Sequence, residues 1–226
     1  MNVKQLAAEK AVEYVQDGMK VGLGTGSTAY WAIRKLGERV SEGLKITAVA
    51  TSQASEDQAR ELGIPLVAFG EIDSLDLTID GADELDSKLQ LIKGGGGALL
   101  REKIVASNST RMIVVADESK VVTTLGKFPL PVEVVPFAWE WTVAELAKLD
   151  CKPVLRMNGE ELYKTDNGNY IADCHFMAID SASSLALKLQ NIPGVVEHGL
   201  FIGISDLAIV GKNDGSIEVI EGVRRS

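Results

Sequence analysis

Short apolar strands alternate with amphipathic helices along the first half of the chain, and this alternation constrains the fold more than any other feature. Residues 3–15 place Val3, Leu6, Ala7, Ala11, Tyr14 and Val15 at helical spacing behind Asn2, a residue type that caps helices. A strand at 19–23 leads through Gly22-Leu23-Gly24-Thr25-Gly26-Ser27-Thr28 into a helix with the stripe Ala29, Ala32, Ile33, Leu36 and Val40. The pattern then repeats: a strand at 46–50, a helix from Thr51-Ser52 to Leu62, a short strand at 66–69, and an alternating strand at 75–79 that reaches Asp80. A strand at 89–92 runs into Lys93 and the glycines Gly94 to Gly97, followed by a helix to about Ser107 and an apolar strand at 111–116. Such alternation predicts an α/β fold with a mostly parallel, doubly wound, Rossmann-like sheet.

The pattern changes near residue 128, where Pro129, Pro131 and Pro136 cluster. Beyond it the sequence reads as strand 132–135, helix 138–149, strands 153–157 and 169–175, helix 181–190 and strand 195–200. This βαββαβ order predicts a smaller ferredoxin-like α+β domain, with Asp166-Asn167-Gly168-Asn169 as a hairpin turn between the two middle strands. Strands near 206–210 and 217–220 are expected to return to the first domain. The expected division is therefore a large catalytic domain of residues 1–128 plus 205–226 and a small domain of residues 129–204, a partition that suits 226 residues.

A formal charge of −9 argues against nucleic acid as a partner, because phosphate backbones require clustered Lys and Arg. It also means that any anion site must be built locally, from backbone N–H groups and a few lysines. The two cysteines, Cys151 and Cys174, lack metal-type spacing and are expected to be reduced, buried thiols. No signal-like or membrane-spanning stretch is visible, so a cytoplasmic protein without membrane contact is expected. His175 and His198 are isolated, and Trp31, Trp139 and Trp141 read as helix packing residues.

Ligands of parallel sheets bind outside the carboxyl ends of the strands. Four polar constellations fall near such ends. Thr25, Gly26, Ser27 and Thr28 open a helix, where free N–H groups and the dipole suit a phosphate. The dinucleotide pattern G-x-G-x-x-G fails at Ser27, and the blander alternative is a tight turn capped by Ser27. Asp80-Gly81-Ala82-Asp83 offers paired carboxylates suited to acid–base work, or else an Asx turn with solvated acids. Lys93 before Gly94, Gly95, Gly96 and Gly97 suits a backbone wrapped around a ligand beside a cation, or else a flexible loop with a surface lysine. Glu102 follows in the next helix, where spacing alone favours an exposed, paired acid. Lys120, in Asp117-Glu118-Ser119-Lys120, is placed to reach a phosphate.

Taken in order, GLGTGSTA at 22–29, TSQASEDQARELGIPL at 51–66, DLTIDGADELD at 76–86, LIKGGGGALLREKIVA at 91–106, ADESK at 116–120, LGKFPLPVEV at 125–134 and TDNGN at 165–169 resemble the type A ribose-5-phosphate isomerases. The resemblance implies an aldose–ketose isomerase of ribose 5-phosphate and ribulose 5-phosphate that uses no metal and no cofactor. It implies Glu102 as the general base, Asp80 and Asp83 as handlers of ring and hydroxyl protons, and Lys93 as the stabiliser of an enediolate oxyanion. Thr25 to Thr28, Asp80 to Asp83, the backbone of Lys93 to Gly96, and Lys120 would bind the sugar phosphate, with Lys4 assisting at the phosphate. A homodimer or homotetramer is implied. Gly97 stands where some members carry alanine.

Two other classes fit parts of the pattern. A CoA transferase would use a glutamate nucleophile, but it leaves Asp80, Asp83 and Lys93 without a role. A sugar-phosphate sensor normally carries a helix-turn-helix, for which the segment before the first glycine turn is too short.

Overall fold

The computed structural model describes residues 2–222. In chain order the elements begin with α1 (Val3–Val12), β1 (Lys20–Leu23), α2 (Ala29–Ser41), β2 (Thr47–Ala50), α3 (Gln53–Glu61) and β3 (Leu77–Gly81). Then come β4 (Glu84–Leu85), β5 (Leu91–Ile92), α4 (Leu99–Ser107), β6 (Met112–Asp117), β7 (Leu130–Val134), α5 (Trp139–Ala147) and β8 (Lys152–Leu155). The chain ends with β9 (Met157–Asn158), β10 (Glu161–Leu162), β11 (Tyr170–His175), α6 (Ala182–Gln190), β12 (Val195–His198), β13 (Leu200–Phe201), β14 (Leu207–Gly211) and β15 (Ile217–Glu221). No helix among the described residues is long and apolar enough to cross a membrane.

The chain forms two compact units. The first holds the segment up to Ala82, Arg101–Val121 and the segment from Gly203. Its six-stranded sheet has the order β15-β14-β6-β3-β1-β2 and is parallel except for the β14–β15 hairpin at one edge. This is the mostly parallel α/β sheet that the alternation predicts. Strands β2 and β3 flank β1 on opposite sides, so the winding direction reverses at β1. The core gathers Val21, Leu23, Ile33, Leu36, Ile79, Ile113, Val115 and Ile209 with the small residues Ala7, Ala8 and Ala11 of α1. Small side chains let α1 lie close to the sheet: a Cβ on Gly211 would come within 2.1 Å of the Val3 carbonyl oxygen. The Asn2 side chain accepts from Lys4 N–H at 3.1 Å, fixing the start of α1.

The second unit holds Asp83–Leu100 and Val122–Ile202. Its four-stranded sheet, β12-β7-β11-β8, is antiparallel throughout, with α5 and α6 filling the βαββαβ order of a ferredoxin-like domain. Leu130, Val132, Val134, Ala172, Cys174 and Leu189 form its core. Cys174 is buried, Cys151 is half-buried, and neither forms a disulfide.

Several expectations are revised. The strand at 89–92 does not join the parallel sheet: β5 pairs antiparallel with β4 and β13 in a separate three-stranded sheet. An Asp86 turn, with Leu89 at φ 54°, makes β4 and β5 a hairpin, so residues 83–100 group with the second unit rather than with residues 1–128. The strand expected at 66–69 is a single bridge, Leu66 to Ala48, followed by a 3-10 turn at Phe69–Glu71. The turn at 166–169 does not join the middle strands directly, because the hairpin β9–β10 is inserted between β8 and β11. Trp141 is 78% exposed, since two helical positions turn it about 200° away from the half-buried Trp139. Residues 1 and 223–226 of the expected large domain lie outside the described residues.

The buried Glu84 carboxylate ties β4 to the segment before β7, accepting from Gly126 N–H at 2.7 Å and Phe128 N–H at 2.6 Å. Glu84→Ala strands both donors and is expected to lower the unfolding free energy by roughly 3 kcal/mol in urea titration. A loss below the error of the titration would show that the two amides find other partners.

Candidate active site

In the first unit the glycine turn at 24–28 and Asp80 meet where the sheet reverses its winding, the place at which open α/β sheets bind ligands. Asp80 lies near the end of β3 and is fully buried. Its Oδ1 accepts from Thr25 N–H at 3.0 Å and Gly81 N–H at 2.7 Å, which joins the first two constellations of the sequence. Gly24 makes this approach possible: a Cβ there would stand 2.2 Å from Asp80 Oδ1 and 2.5 Å from Asp80 Cα. An aspartate with solvated oxygens is thereby excluded at position 80.

The Thr25 hydroxyl sits in a cluster that the sequence did not reveal. It lies 2.7 Å from the Thr51 hydroxyl, 2.8 Å from that of Ser52 and 3.3 Å from that of Ser55. Ser55 in turn donates to the Gly24 carbonyl at 2.7 Å. The signal was present in Thr51-Ser52, at the carboxyl end of β2 beside β1, but only strand order reveals it. These bonds hold the glycine turn from its buried side.

Helix α2 starts after Thr28 without any side-chain cap, so Ser27 does not cap it. Ser27 instead accepts a hydrogen bond from Lys4 Nζ at 3.0 Å. The same ammonium lies 3.9 Å from Asp117 Oδ2 at the end of β6. A helix start without a side-chain cap, an exposed Gly26-Ser27 tip and a nearby lysine are a combination that suits an anion. Lys120 ends the one-turn 3-10 helix that follows β6. Glu102, in α4, is only 3% exposed, which removes the exposed-acid alternative.

In the second unit Lys93 follows β5 and is 2% exposed, so it is no surface lysine. Its Nζ lies 5.5 Å from the Phe201 ring centroid, and its backbone N–H donates to Gly199 at 2.9 Å. Gly94 and Gly97 have φ of 102° and 81°, conformations suited to glycine, while Gly95 and Gly96 form the exposed tip. Asp83 Oδ2 accepts from Gly95 N–H at 2.7 Å, which joins the second constellation to the third. Arg156, absent from the sequence expectations, donates from Nη1 to the carbonyls of Gly94 and Gly95 at 3.0 and 3.1 Å. Gly97 leaves room for Tyr163, whose Oη would stand 2.1 Å from a Cβ there.

Fully buried Asp, Glu and Lys are rare, and burial of a charge without compensation is strongly unfavourable. Asp80, Glu102 and Lys93 are therefore not solubilising surface charges, a burial they share with Glu84 and Glu133, whose carboxylates serve as structural acceptors. Among the described residues, no group of three or more His, Cys, Asp or Glu side chains is gathered as a metal site would require.

The contact between Gly24 and Asp80 is directly testable by stability. Gly24→Ala is expected to cost roughly 3 kcal/mol, because backbone as well as carboxylate must shift. Gly26→Ala meets no atom within 4 Å and should cost only about 1 kcal/mol, from its φ of 105°. Urea unfolding of the two variants decides, and a reversed order would show that β1 and β3 are not so closely apposed.

Comparison with known proteins gives one consistent answer. The family described as Ribose 5-phosphate isomerase A (phosphoriboisomerase A) matches residues 47–215. A ribose-5-phosphate isomerase A of Bacillus mycoides is 55% identical over 216 residues, covering 95% of this chain and 98% of the relative. The solved ribose 5-phosphate isomerase of Plasmodium falciparum superposes with a TM-score of 0.94 at 39% identity, covering 97% of each chain. A D-ribose-5-phosphate isomerase solved in complex with phospho-erythronic acid superposes with a TM-score of 0.93 at 40% identity, covering 98% of this chain and 100% of the other. Matched by the family over residues 47–215 and by a relative 55% identical over 95% of its length, this protein belongs to the ribose 5-phosphate isomerase A family.

Proposed function

We propose that the chain interconverts D-ribose 5-phosphate and D-ribulose 5-phosphate through an enediolate, with Glu102 as base. The observation that carries this assignment is the burial of Glu102, Asp80 and Lys93 in a chain of this family. In the open-chain aldose, the Glu102 carboxylate removes the C2 proton. The C–H electron pair becomes the C1–C2 double bond, and the carbonyl electrons move to O1. Lys93 and the amides of its glycine turn stabilise that oxyanion, where fixed donors act more strongly than water. Transfer of a proton from O2 to O1 and return of the first proton from Glu102 to C1 complete the ketose. Asp80 and Asp83 assist ring opening and the hydroxyl proton transfers. Triosephosphate isomerase solves the same chemical problem in a parallel way, with a glutamate base set beside an electrophile.

The phosphate is assigned to Gly26, Ser27 and Thr28 at the head of α2, with Thr25, Lys4 and Lys120. Gly81, Ala82 and the backbone of Gly94 to Gly96 contact the sugar. Phospho-erythronic acid, bound in the structural relative, is itself a phosphorylated sugar acid, which supports this class of ligand. The reaction needs no hydride acceptor, because carbon C1 is reduced as C2 is oxidised, and a cofactor-free, metal-independent enzyme is proposed. A cytoplasmic homodimer or homotetramer is proposed from the family resemblance.

Glu102→Gln keeps the shape of the side chain and removes the base. It is expected to lower kcat by about 10³-fold while KM changes less than threefold, measured by ribulose 5-phosphate formation. Solvent deuterium incorporation at C1 should fall in parallel, and turnover within tenfold of the parent would remove Glu102 from this role. Activity is expected to survive prolonged dialysis against EDTA, and its disappearance, restored by a divalent cation, would refute the metal-independent mechanism.

A further inference from the structure

We propose that Arg156 is a positioning residue that sets the peptide orientation of the glycine turn, so that the Gly96 amide faces the substrate's reacting end. The inference rests on the proposed role of Lys93 to Gly96 in substrate binding and adds a residue outside that turn. Arg156 is anchored by Asp173, with Nε 3.0 Å from Oδ2 and Nη2 2.6 Å from Oδ1. The pair is largely withdrawn from solvent, at 16% and 22% side-chain exposure. Register explains the pairing: Arg156 follows β8 directly, and its N–H donates to the Ile171 carbonyl of β11, the strand that carries Asp173.

The two-pronged pairing leaves Nη1 to donate to Gly94 O at 3.0 Å and Gly95 O at 3.1 Å. Two successive carbonyls thus point to one cation. In a planar trans peptide the N–H points broadly opposite to the C=O. The Gly94 carbonyl therefore sends Gly95 N–H the other way, where Asp83 Oδ2 receives it at 2.7 Å. By the same rule, the Gly95 carbonyl turns Gly96 N–H away from Arg156. Because Asp83 already takes the Gly95 N–H, the donor assigned to the substrate on that side is the Gly96 N–H. Gly97 N–H closes the turn on the Gly94 carbonyl at 2.9 Å, which leaves the Gly95–Gly96 peptide as the one that glycines let flip at little steric cost, and Arg156 selects its orientation through the Gly95 carbonyl. Tyr163 closes the assembly, its ring 5.8 Å from the guanidinium carbon and its Oη filling the space beside Gly97. A lysine has neither the planar fork for Asp173 nor the reach to both carbonyls at once.

The test compares Arg156→Ala and Arg156→Lys with the parent, using 4-phospho-erythronate and inorganic phosphate as competitive inhibitors. Arg156→Ala is expected to lower kcat about 100-fold, the scale of one lost oxyanion donor, and to weaken 4-phospho-erythronate at least roughly 30-fold. Inhibition by inorganic phosphate should stay within twofold, because its site in the first glycine turn is untouched. Millimolar methylguanidine should restore part of the kcat of the alanine variant. Arg156→Lys should resemble Arg156→Ala, and it serves alone if the alanine variant does not fold. Folded variants with normal constants, or an equal loss of both inhibitors without rescue, would overturn the proposal. Lys93→Met separates the two ideas: if it is inactive while Arg156→Ala is normal, only the role of Arg156 fails, whereas a fully active Lys93→Met removes the substrate role of the turn itself.

Discussion

The close approach of Gly24 to Asp80 is the contact on which the large unit's candidate site depends. Two parallel strands end side by side, and the buried carboxylate of one receives the backbone amide that begins the turn of the other. Isolating a carboxylate from water is unfavourable, and two amide donors offset part of that penalty. The contact lies where the sheet reverses its winding, where adjacent strand ends open toward opposite helices and leave a crevice. Strand order, glycine placement and acid burial are therefore one constraint seen at three levels.

The two glycine turns solve different problems. At 24–28, glycine allows a neighbouring strand to come close, and the hydroxyls of Thr51 and Ser52, between β2 and α3, and of Ser55 in α3 hold the turn from behind. At 94–97, positive φ at both ends allows the chain to double back, and Arg156 with Asp83 fixes the peptides between them. Freedom in the chain is thus offset by rigid polar partners outside it. A flexible turn alone would lose the preorganisation that makes fixed donors more effective than solvent.

The features legible in the sequence were those with local causes. The alternation of strands and helices pointed to the parallel sheet, the βαββαβ order pointed to the second sheet, and Asn2 marked the first helix cap. The four constellations were visible because glycines, paired acids and a lysine stood at strand ends. Partnership across the chain was not visible. Arg156 reaches Gly94 only through the pairing of β8 with β11, and nothing near Arg156 in the sequence distinguishes it from a surface arginine. The strand at 89–92 was visible but its pairing was not: β4 is only two residues long and carries no periodicity, and β13, the other partner of β5, is more than 100 residues away. Glu102 looked exposed by spacing because helix periodicity reports a face, not what covers it.

The acidic balance of the chain raises an electrostatic question for a doubly charged substrate. A net charge of −9 repels an approaching phosphate, but at physiological ionic strength that field decays over about 8 Å. Its influence falls on encounter more than on the bound state. Close to the turn, local geometry dominates: Lys4 already lies beside Ser27, held near Asp117 at 3.9 Å. A pair at about 4 Å in a partly exposed setting interacts by about 4 kcal/mol before desolvation, at an effective dielectric of about 20. A phosphate at the head of α2 would compete with Asp117 for the same ammonium while gaining uncapped amides that Asp117 does not reach. Under the phosphate assignment proposed above, the acid would hold the lysine in place until a better anion arrives, and an acidic protein would then need no broad basic surface to take an anionic substrate.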